Sequence, residues 1–322
     1  MSSSTALVLA PDISERGVVK VGPARWLVLA AFAAVYVIWG STYLGIRLAI
    51  DSIPPFLMAG ARFLIAGLIL YAVMIARGVS RPTIVHWKNA FVVGALLLLA
   101  GNGGMTWATQ FVPTNLAALM IAGTPLWILV IDWMRPNGTR PKNLVFVGLA
   151  LGLTGVGVMV AGKSPSGTGV VKPVATIVIL LSSVCWAAGS VYSRHARKPD
   201  SALLFVAMQM IAGGLLLLVL GSRLGELQRF DWGKVTAVSM VAFFYLTIFG
   251  SLVGFTAYVW LLQVSTPAKV STYAYVNPMI ALVLGRVVLG EVLAQSTLIA
   301  GMLILAAVVL CTLSSGRKPE AE

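Results

Sequence analysis

Residues 101–125 read GNGGMTWATQFVPTNLAALMIAGTP, and residues 254–278 read GFTAYVWLLQVSTPAKVSTYAYVNP. Both stretches start with a glycine and end with a proline, and between these each has a tryptophan and a glutamine at the same two positions. The copies lie 153 residues apart, which is nearly half of the chain. This spacing predicts that the chain consists of two related halves.

The composition excludes most soluble proteins. Of the 322 residues, 59% are hydrophobic and only 10% are charged, whereas a soluble domain has about 25% charged residues. Apolar runs recur along the whole chain, and a run of about 20 residues is long enough to cross the hydrocarbon core of a bilayer. We therefore expect an all-α membrane protein that crosses the lipid bilayer many times.

Neither the charge nor the cysteines indicate another class. The net charge of +13 does not predict a nucleic-acid partner, because the basic residues lie in short loops rather than on one soluble module. The two cysteines, Cys185 and Cys311, lie in apolar segments and are too few for a disulfide framework or a zinc site.

The apolar runs predict ten transmembrane helices, arranged as two inverted repeats of five. The expected ranges are about 26–50, 55–77, 88–109, 114–134, 143–162, 173–194, 201–222, 235–262, 268–289 and 295–314. The chain is thereby divided into a cytoplasmic N-terminal tail (1–25), a first repeat (26–162), a periplasmic linker (163–172), a second repeat (173–314) and a cytoplasmic C-terminal tail (315–322). Inverted repeats favour alternating access around a central site.

The distribution of lysine and arginine predicts that both termini are cytoplasmic. With the N-terminus inside, cytoplasmic segments hold fifteen of the 23 basic residues and outside segments hold six. This excess agrees with the positive-inside rule. The remaining two, Arg47 and Arg62, lie within spans.

No arrangement typical of an enzyme is present in the sequence. The two histidines, His86 and His195, lie at helix ends, and no HxxxH or HExxH spacing is available for a metal. No Gly-rich loop precedes a lysine to hold a phosphate. We expect no catalytic residue, no metal and no cofactor.

Two prolines predict hinges in the fourth and ninth helices. Pro125 and Pro278 each follow a polar residue, Thr124 and Asn277. A proline inside a helix removes the hydrogen bond to the carbonyl four residues earlier. That carbonyl could face a substrate near the bilayer midplane, or neighbouring helices could repair a tolerated kink.

Aromatic residues near the span centres predict a ring-lined cavity. Trp39 and Trp186 lie near the centres of the first and sixth helices, where interfacial anchoring does not explain them. Both segments read Gly-Ser-x-Tyr, which ends at Tyr43 and at Tyr192. These four residues would suit a small molecule with apolar and polar parts. The alternative is that they are packed core residues.

Three polar residues within spans are further candidates for substrate binding. Arg62 lies in the second helix, and Gln209 is its expected counterpart in the seventh. Arg62 could bind a substrate carboxylate, since a guanidinium group matches it geometrically, or it could bond helix-end carbonyls. Asn102 interrupts the third helix between glycines and is either a site residue or a contact between helices.

The acidic residues argue against a proton relay. All ten carboxylates lie in loops, tails or helix ends, whereas proton relays commonly use acids buried in spans. Their positions also weaken a site for permanent cations, although cation–π contacts with rings stay possible.

The motif Trp39-Gly-Ser-Thr-Tyr43 and the proline-centred fourth and ninth helices resemble the EamA-like branch of the drug/metabolite transporter superfamily. The resemblance covers about residues 26–314. It implies an inverted-repeat bundle in the bacterial inner membrane, a central cavity, and peripheral fifth and tenth helices. Gly290-Glu291 matches a pair common before the tenth helix of this branch, and Asn137-Gly138 in the first half departs from it.

Within that branch the chain is similar to bacterial exporters of amino acids and related metabolites. The first hypothesis is therefore export of neutral or aromatic amino acids and similar small molecules. The second is efflux of aromatic cationic drugs, which would need negative charge or a ring cage near Trp39 and Trp186. The third, from another class, is a membrane-embedded enzyme or scaffold. The expected partners are a small-molecule substrate and the lipid bilayer, without nucleic acid. The sequence leaves the oligomeric state open.

Overall fold

The computed structural model describes residues 24–136, 138, 140, 143–161, 172–265, 270, 272–291 and 295–315. Over these residues the chain is helical and has no strand. We number the long helices α1 to α10 and treat consecutive helical segments as one element. The helices are α1 Arg25–Ala49, α2 Pro55–Ala76, α3 Ile84–Ala108, α4 Thr114–Trp133, α5 Asn143–Ala161, α6 Pro173–His195, α7 Ala202–Arg223, α8 Ala237–Val264, α9 Tyr273–Leu289 and α10 Gln295–Ser315.

Seven helices among the described residues are long and apolar enough to cross a membrane, namely α1, α2, α3, α4, α6, α7 and α8. Helices α5, α9 and α10 contain shorter apolar stretches there. The prediction of an all-α membrane protein is therefore confirmed for this part of the chain, while the count of ten spans stays a prediction. Most of the predicted tails and of the linker 163–172 lies outside the described residues.

Three of the helices are not continuous α-helices. The sequence predicts the interruption of the third helix at Asn102 and the hinge of the fourth at Pro125, but no irregularity in the eighth. Helix α3 has a π-helical segment at Ala95–Gly103, and α8 has one at Leu246–Val253. Helix α4 is divided into Thr114–Ile121 and Thr124–Trp133. These interruptions all fall inside the apolar runs.

The helices α2 and α7 pack against each other through glycines. A Cβ atom on Gly60 would lie 3.0 Å from the carbonyl oxygen of Gly214, and one on Gly67 would lie 2.9 Å from that of Ala207. The two backbones therefore almost touch, as small residues in membrane helices allow. Residues later in α2 contact residues earlier in α7, so the two helices are antiparallel.

Other helix pairs complete the bundle. Helix α1 packs against α8 and α9, and α6 packs against α3 and α4. Helices α5 and α10 pack mainly against each other, which agrees with the peripheral position that the resemblance implies. We call the end at which α2, α4 and α6 begin the outer end, because the charge distribution predicts that it faces the periplasm. The opposite end is the inner end.

Some helix starts are stabilised by their own N-cap residue and others by a carboxylate from elsewhere in the chain. At the inner end, Thr83 and Ser201 accept hydrogen bonds from the third N–H groups of α3 and α7, as N-cap residues do. At the outer end, α2 and α4 follow prolines and have no side-chain cap of their own.

Carboxylates from the second half supply the missing caps. Glu226, in a short helix after α7, accepts hydrogen bonds from the N–H groups of Phe56 (3.3 Å) and Leu57 (2.9 Å). Glu291, after α9, accepts from the N–H groups of Thr114 (2.7 Å) and Asn115 (3.2 Å). A negative charge at a helix N-terminus is favourable, so these contacts tie the two halves together at the outer end.

Candidate functional site

The two central tryptophans have matching surroundings, because each ring contacts a glycine of a neighbouring helix. A Cβ atom on Gly254 of α8 would lie 2.5 Å from Nε1 of Trp39, and one on Gly101 of α3 would lie 3.1 Å from Cε3 of Trp186. Any larger residue at Gly254 would displace the indole ring. The repeated sequence predicts both the pairing of the tryptophans and the pairing of the glycines, but not their contact.

Trp39 belongs to a cluster of four rings. Its ring centroid lies 5.2 Å from that of Phe255, 5.1 Å from that of Tyr258 and 5.2 Å from that of Tyr273. Its indole N–H donates a hydrogen bond to the carbonyl of Gly250 (3.3 Å). The ring is half-buried, so this cluster is packed and yet incompletely covered by the protein.

The structure does not bring the two predicted tyrosines into equivalent surroundings. Tyr43 is buried in the core of the outer half of the bundle. Tyr192 is 39% exposed at the inner end, where its hydroxyl donates to Oδ1 of Asn89 (2.8 Å). Four residues separate Tyr43 from Trp39, whereas six separate Tyr192 from Trp186. This difference turns Tyr192 away from its ring and moves it towards the helix end.

Arg62 is buried in α2 and has few partners. Only 3% of the residue is exposed, its Nη2 donates to Oδ1 of Asn102 (2.8 Å), and its guanidinium carbon lies 4.3 Å from the ring centroid of Phe63. Its Nε has no hydrogen-bond partner among the described residues. No salt bridge of the described residues includes Arg62. A buried charge normally has a counter-charge, so this guanidinium is incompletely satisfied.

Asn102 and Gln209 differ in their relation to Arg62. Asn102, in the π-helical segment of α3, accepts from Arg62 and from the hydroxyl of Thr106 (3.3 Å). Gln209 is buried in α7, and its backbone carbonyl faces Gly94 of α3. The structure thus brings Arg62 and Asn102 together.

The helix break before Pro125 is closed by a side chain. The predicted free carbonyl of Ile121 accepts a hydrogen bond from the hydroxyl of Thr124 (2.6 Å), which also lies 2.9 Å from the hydroxyl of Ser183 in α6. The carbonyl of Ile121 therefore already has one hydrogen-bond partner, the polar residue before the proline, and its role at a hinge stays a prediction.

Pro278 has a related arrangement inside a continuous helix. Helix α9 runs through Pro278 without a break. The side-chain amide of Asn277 lies 3.2 Å from the carbonyl oxygens of Tyr36 and Tyr273, and its NH₂ group donates to both when it faces them. In each half, the residue before the proline thus joins its helix to α6 or to α1.

The π-helical segments receive hydrogen bonds from the same two helices. Ser182 of α6 donates to the carbonyl of Ala100 (3.0 Å), and Trp39 of α1 donates to that of Gly250. Segments of π-helix inside α-helices are frequent at functional sites. The run Gly101-Asn-Gly-Gly104 was the one sequence signal for the first segment, and the second has no comparable run.

Two open clefts of about 600 Å³ each lie at opposite ends of the bundle. The outer cleft lies between the α1–α2 and α7–α8 connections and includes Trp107 and Gln110. The inner cleft lies between α3, α4 and α6 and includes Tyr192 and Arg135. Among the described residues, no group of three His, Cys, Asp or Glu side chains is placed to hold a metal ion.

Comparison with known proteins gives the family. The model of the EamA-like transporter family matches residues 25–161 and again residues 174–313. The uncharacterized inner membrane transporter YedA of Escherichia coli is 39% identical over 288 residues, which cover 88% of this chain and 90% of YedA.

More distant relatives also match over most of the chain. The uncharacterized transporter YvbV of Bacillus subtilis is 27% identical over 87% of this chain and 89% of its own length. PecM of Dickeya dadantii is 25% identical over 85% and 88%. A solved crystal structure with 22% identity matches at a TM-score of 0.62 over 91% of this chain and 99% of that one, which supports the fold alone. The chain therefore belongs to the EamA-like transporter family and is a multi-pass protein of the inner membrane.

Proposed function

We propose that the protein exports neutral or aromatic amino acids and similar small carboxylate-bearing metabolites, by alternating access between two inverted five-helix repeats. Both termini are cytoplasmic in this proposal, and the protein is not an enzyme. The observation that supports it most is the buried, incompletely satisfied guanidinium of Arg62.

The contacts between the halves support the inverted repeat. Gly60 and Ala207 are 147 residues apart in the sequence, and so are Gly67 and Gly214. The contact of Gly60 with Gly214 therefore corresponds to that of Ala207 with Gly67, as a two-fold axis between α2 and α7 requires. The double match of the family model, once in each half, agrees with this.

The proline-associated contacts have the same symmetry. Tyr36 and Ser183 are 147 residues apart, and Thr124 and Asn277 are 153 apart. The bond between Thr124 and Ser183 thus corresponds to the bond between Asn277 and Tyr36. Helices that move as related pairs around one centre are what alternating access needs.

Arg62 favours an anionic group on the substrate. A buried charge without a partner is unfavourable by several kcal/mol, and a carboxylate can accept two parallel N–H bonds from guanidinium. Nε of Arg62 is one free donor, and the bond from Nη2 to Asn102 fixes the orientation of the group. The apolar part of the substrate would pack on Trp186, whose ring contacts Gly101 beside Asn102, and on the rings around Trp39.

Efflux of aromatic cations is the second candidate. The rings of Trp39, Tyr258 and Tyr273 lie 5.1–5.8 Å apart, which is the spacing of directly packed rings, so a cation could bind only on the outer π faces of this cluster. However, the described acidic residues lie in loops or at helix ends, and the buried charge near the bundle centre is positive. We therefore prefer the carboxylate substrate.

Flux into proteoliposomes tests the proposal. Wild-type protein should transport L-phenylalanine faster than phenethylamine, which lacks the carboxylate. Arg62→Gln should lower L-phenylalanine flux at least tenfold, since a charge-assisted hydrogen bond contributes about 1.5–3 kcal/mol, and should leave flux of phenethylamine and dye cations unchanged. Arg47→Gln, which removes the other arginine within a span, is the matched control. Equal L-phenylalanine flux in both variants would contradict the proposal, and faster dye flux in wild type would favour cation efflux.

A further inference from the structure

The inner cleft contains cationic and apolar groups that the central site does not use. Arg135, His195 and Arg197 line it together with apolar residues of α3, α4 and α6, and no acidic residue is among the side chains that line it. The cleft holds about 600 Å³, which is enough for a molecule of amino-acid size. Its position at the inner end faces the cytoplasm in the proposed orientation.

The arginine in this cleft is held in place by its neighbours. Nη1 of Arg135 donates to Oδ1 of Asp132 (2.9 Å) and lies 2.8 Å from Nε2 of His195. His195 in turn has Nδ1 3.0 Å from the carbonyl of Val191. With the proton on Nδ1, that nitrogen donates to Val191 and Nε2 accepts from Arg135. The remaining nitrogens of Arg135 have no hydrogen-bond partner among the described residues, so they are free to donate to a ligand.

A second set of bonds fixes the opposite wall. The amide of Asn89 in α3 donates to the backbone carbonyl of Arg197 (2.7 Å) and accepts from the hydroxyl of Tyr192 (2.8 Å). These bonds hold the segment after α6 against α3, and with it the exposed side chain of Arg197. The guanidinium of Arg135 is thus held at the cleft before any ligand binds, and such pre-organisation favours binding. The backbone of Arg197 is fixed beside it, and its exposed side chain can reach a ligand there.

We propose that this cleft is an entry site that binds the carboxylate of the substrate from the inner side before the substrate reaches Arg62. Arg135 and Arg197 receive the carboxylate, and the apolar residues Val85 and Ile131 contact the side chain of the substrate. This inference rests on the proposed transport of carboxylate-bearing molecules and adds where the substrate is first recognised.

Side-specific kinetics test the inference. In membrane vesicles of inside-out and right-side-out orientation, Arg197→Gln and Arg135→Gln should raise the KM for L-phenylalanine about three- to tenfold when it enters from the inner end. The maximal rate from the inner end should rise in proportion, because flux that follows the substrate gradient requires the same ratio of maximal rate to KM in both directions. The KM and the maximal rate from the outer end should not change. Arg77→Gln, which removes an exposed arginine of the same end outside the cleft, should leave both KM values unchanged.

The outcomes separate the two proposals. Suppose that wild type transports L-phenylalanine, but the two arginine variants change KM equally from both sides or not at all. That result would overturn the entry site and leave the proposed function standing. Absence of any L-phenylalanine flux in wild type would overturn both. Should Arg135→Gln fail to fold, Arg197→Gln decides, because that side chain is exposed. A KM effect that disappears in vesicles without phosphatidylglycerol would overturn the inference in favour of a lipid headgroup in the cleft.

Discussion

Trp39 and Trp186 contact Gly254 and Gly101 in a way that leaves no room for a Cβ atom beside Trp39. An indole ring that packs against a glycine backbone can still contact another side chain through the rest of its surface. For Trp39 that neighbour is a cluster of three rings. Packing alone does not show whether the cluster also contacts substrate, so the test is a measurement of transport.

We predict that Trp39→Ala and Trp186→Ala change substrate preference more than the amount of folded protein. Each variant should weaken aromatic substrates several-fold, because an aromatic pair contributes about 0.5–1.5 kcal/mol beyond its buried area. Trp→Phe should have a milder effect, since the ring face is retained. Competition against L-phenylalanine flux measures the preference. Lower Tm with unaltered selectivity per folded molecule would make both residues packing residues only.

Glu226 provides a test at the outer end. Burial raises the pKa of its carboxyl, while the N–H groups of Leu57 and Phe56 and the charge of Arg229 oppose that shift. A raised pKa in the folded state means that folding favours the protonated carboxyl. The part of the stability that comes from this preference is complete at low pH and is lost as pH rises through the raised pKa, while the hydrogen bonds to α2 remain.

We therefore predict that Tm in detergent falls as pH rises through that range, and that Glu226→Gln flattens the profile. The glutamine can still accept from Leu57, whereas Glu226→Ala should lose about 0.5–2 kcal/mol of stability at every pH, as N-cap removal does. Asp231→Asn, at an exposed acid of the same region, is the control. Parallel pH profiles for wild type and Glu226→Gln would contradict this prediction.

At the scale of the element, α4 and α9 use their prolines differently. Helix α4 is divided before Pro125, and the hydroxyl of Thr124 occupies the carbonyl of Ile121. Helix α9 is continuous, so Pro278 alone prevents the bond to the carbonyl of Ala274.

We predict that Pro278→Ala slows transport more than Pro125→Ala and that both variants insert normally. The new N–H at residue 278 would complete α9 and restrict its bending between states, whereas at residue 125 it would compete with Thr124 for Ile121. Initial flux rates per folded molecule measure this. Near-normal rates in both variants would make the prolines tolerated kinks.

The sequence predicted the helix ends to within a few residues and the irregularities near Asn102 and Pro125, but not the π-helical geometry of α3 and α8. Apolar runs and breaks such as Pro113 determine the bounds, because lipid requires satisfied backbone over each span. The π-helical segments Ala95–Gly103 and Leu246–Val253 each accept a hydrogen bond from another helix, from Ser182 and from Trp39. Hydropathy contains no information about such tertiary bonds.

The candidate site was predictable to a similar extent. Arg62 and Asn102 stood out as polar residues within spans, and the structure brings them together. Tyr192 followed from a repeated motif, but its partner Asn89 lies on another helix and holds it at the inner end. The shared Gly-Ser-x-Tyr motif therefore did not predict that Tyr43 and Tyr192 have different surroundings.

At the scale of the whole molecule, the orientation in the membrane is open to direct measurement. In a variant without Cys185 and Cys311, we predict that Ser166→Cys reacts with an impermeant maleimide added to intact cells, and that Thr139→Cys reacts only after lysis. The reason is that fifteen basic residues lie in the predicted cytoplasmic segments and six outside. Labelling of residue 139 in intact cells would contradict the inverted-repeat interpretation.

The position of the acids predicts how transport is driven. Since the described acidic residues lie in loops or at helix ends, no carboxylate there can relay protons across the span centres. Flux should follow the substrate gradient, and an imposed pH gradient should not cause accumulation in proteoliposomes with clamped potential. Uphill uptake after a pH jump would show that another group couples the proton.

The caps at the outer end have a consequence for how the protein is made. The carboxylates that complete α2 and α4 lie 169 residues beyond Leu57 and 177 residues beyond Thr114. At a synthesis rate of about 5–20 residues per second, the acceptor of each helix start is synthesised roughly 8–35 s after that start. The first half enters the membrane with these N–H groups exposed to water or lipid headgroups, and a ribosome that stops before residue 291 leaves α4 unfinished.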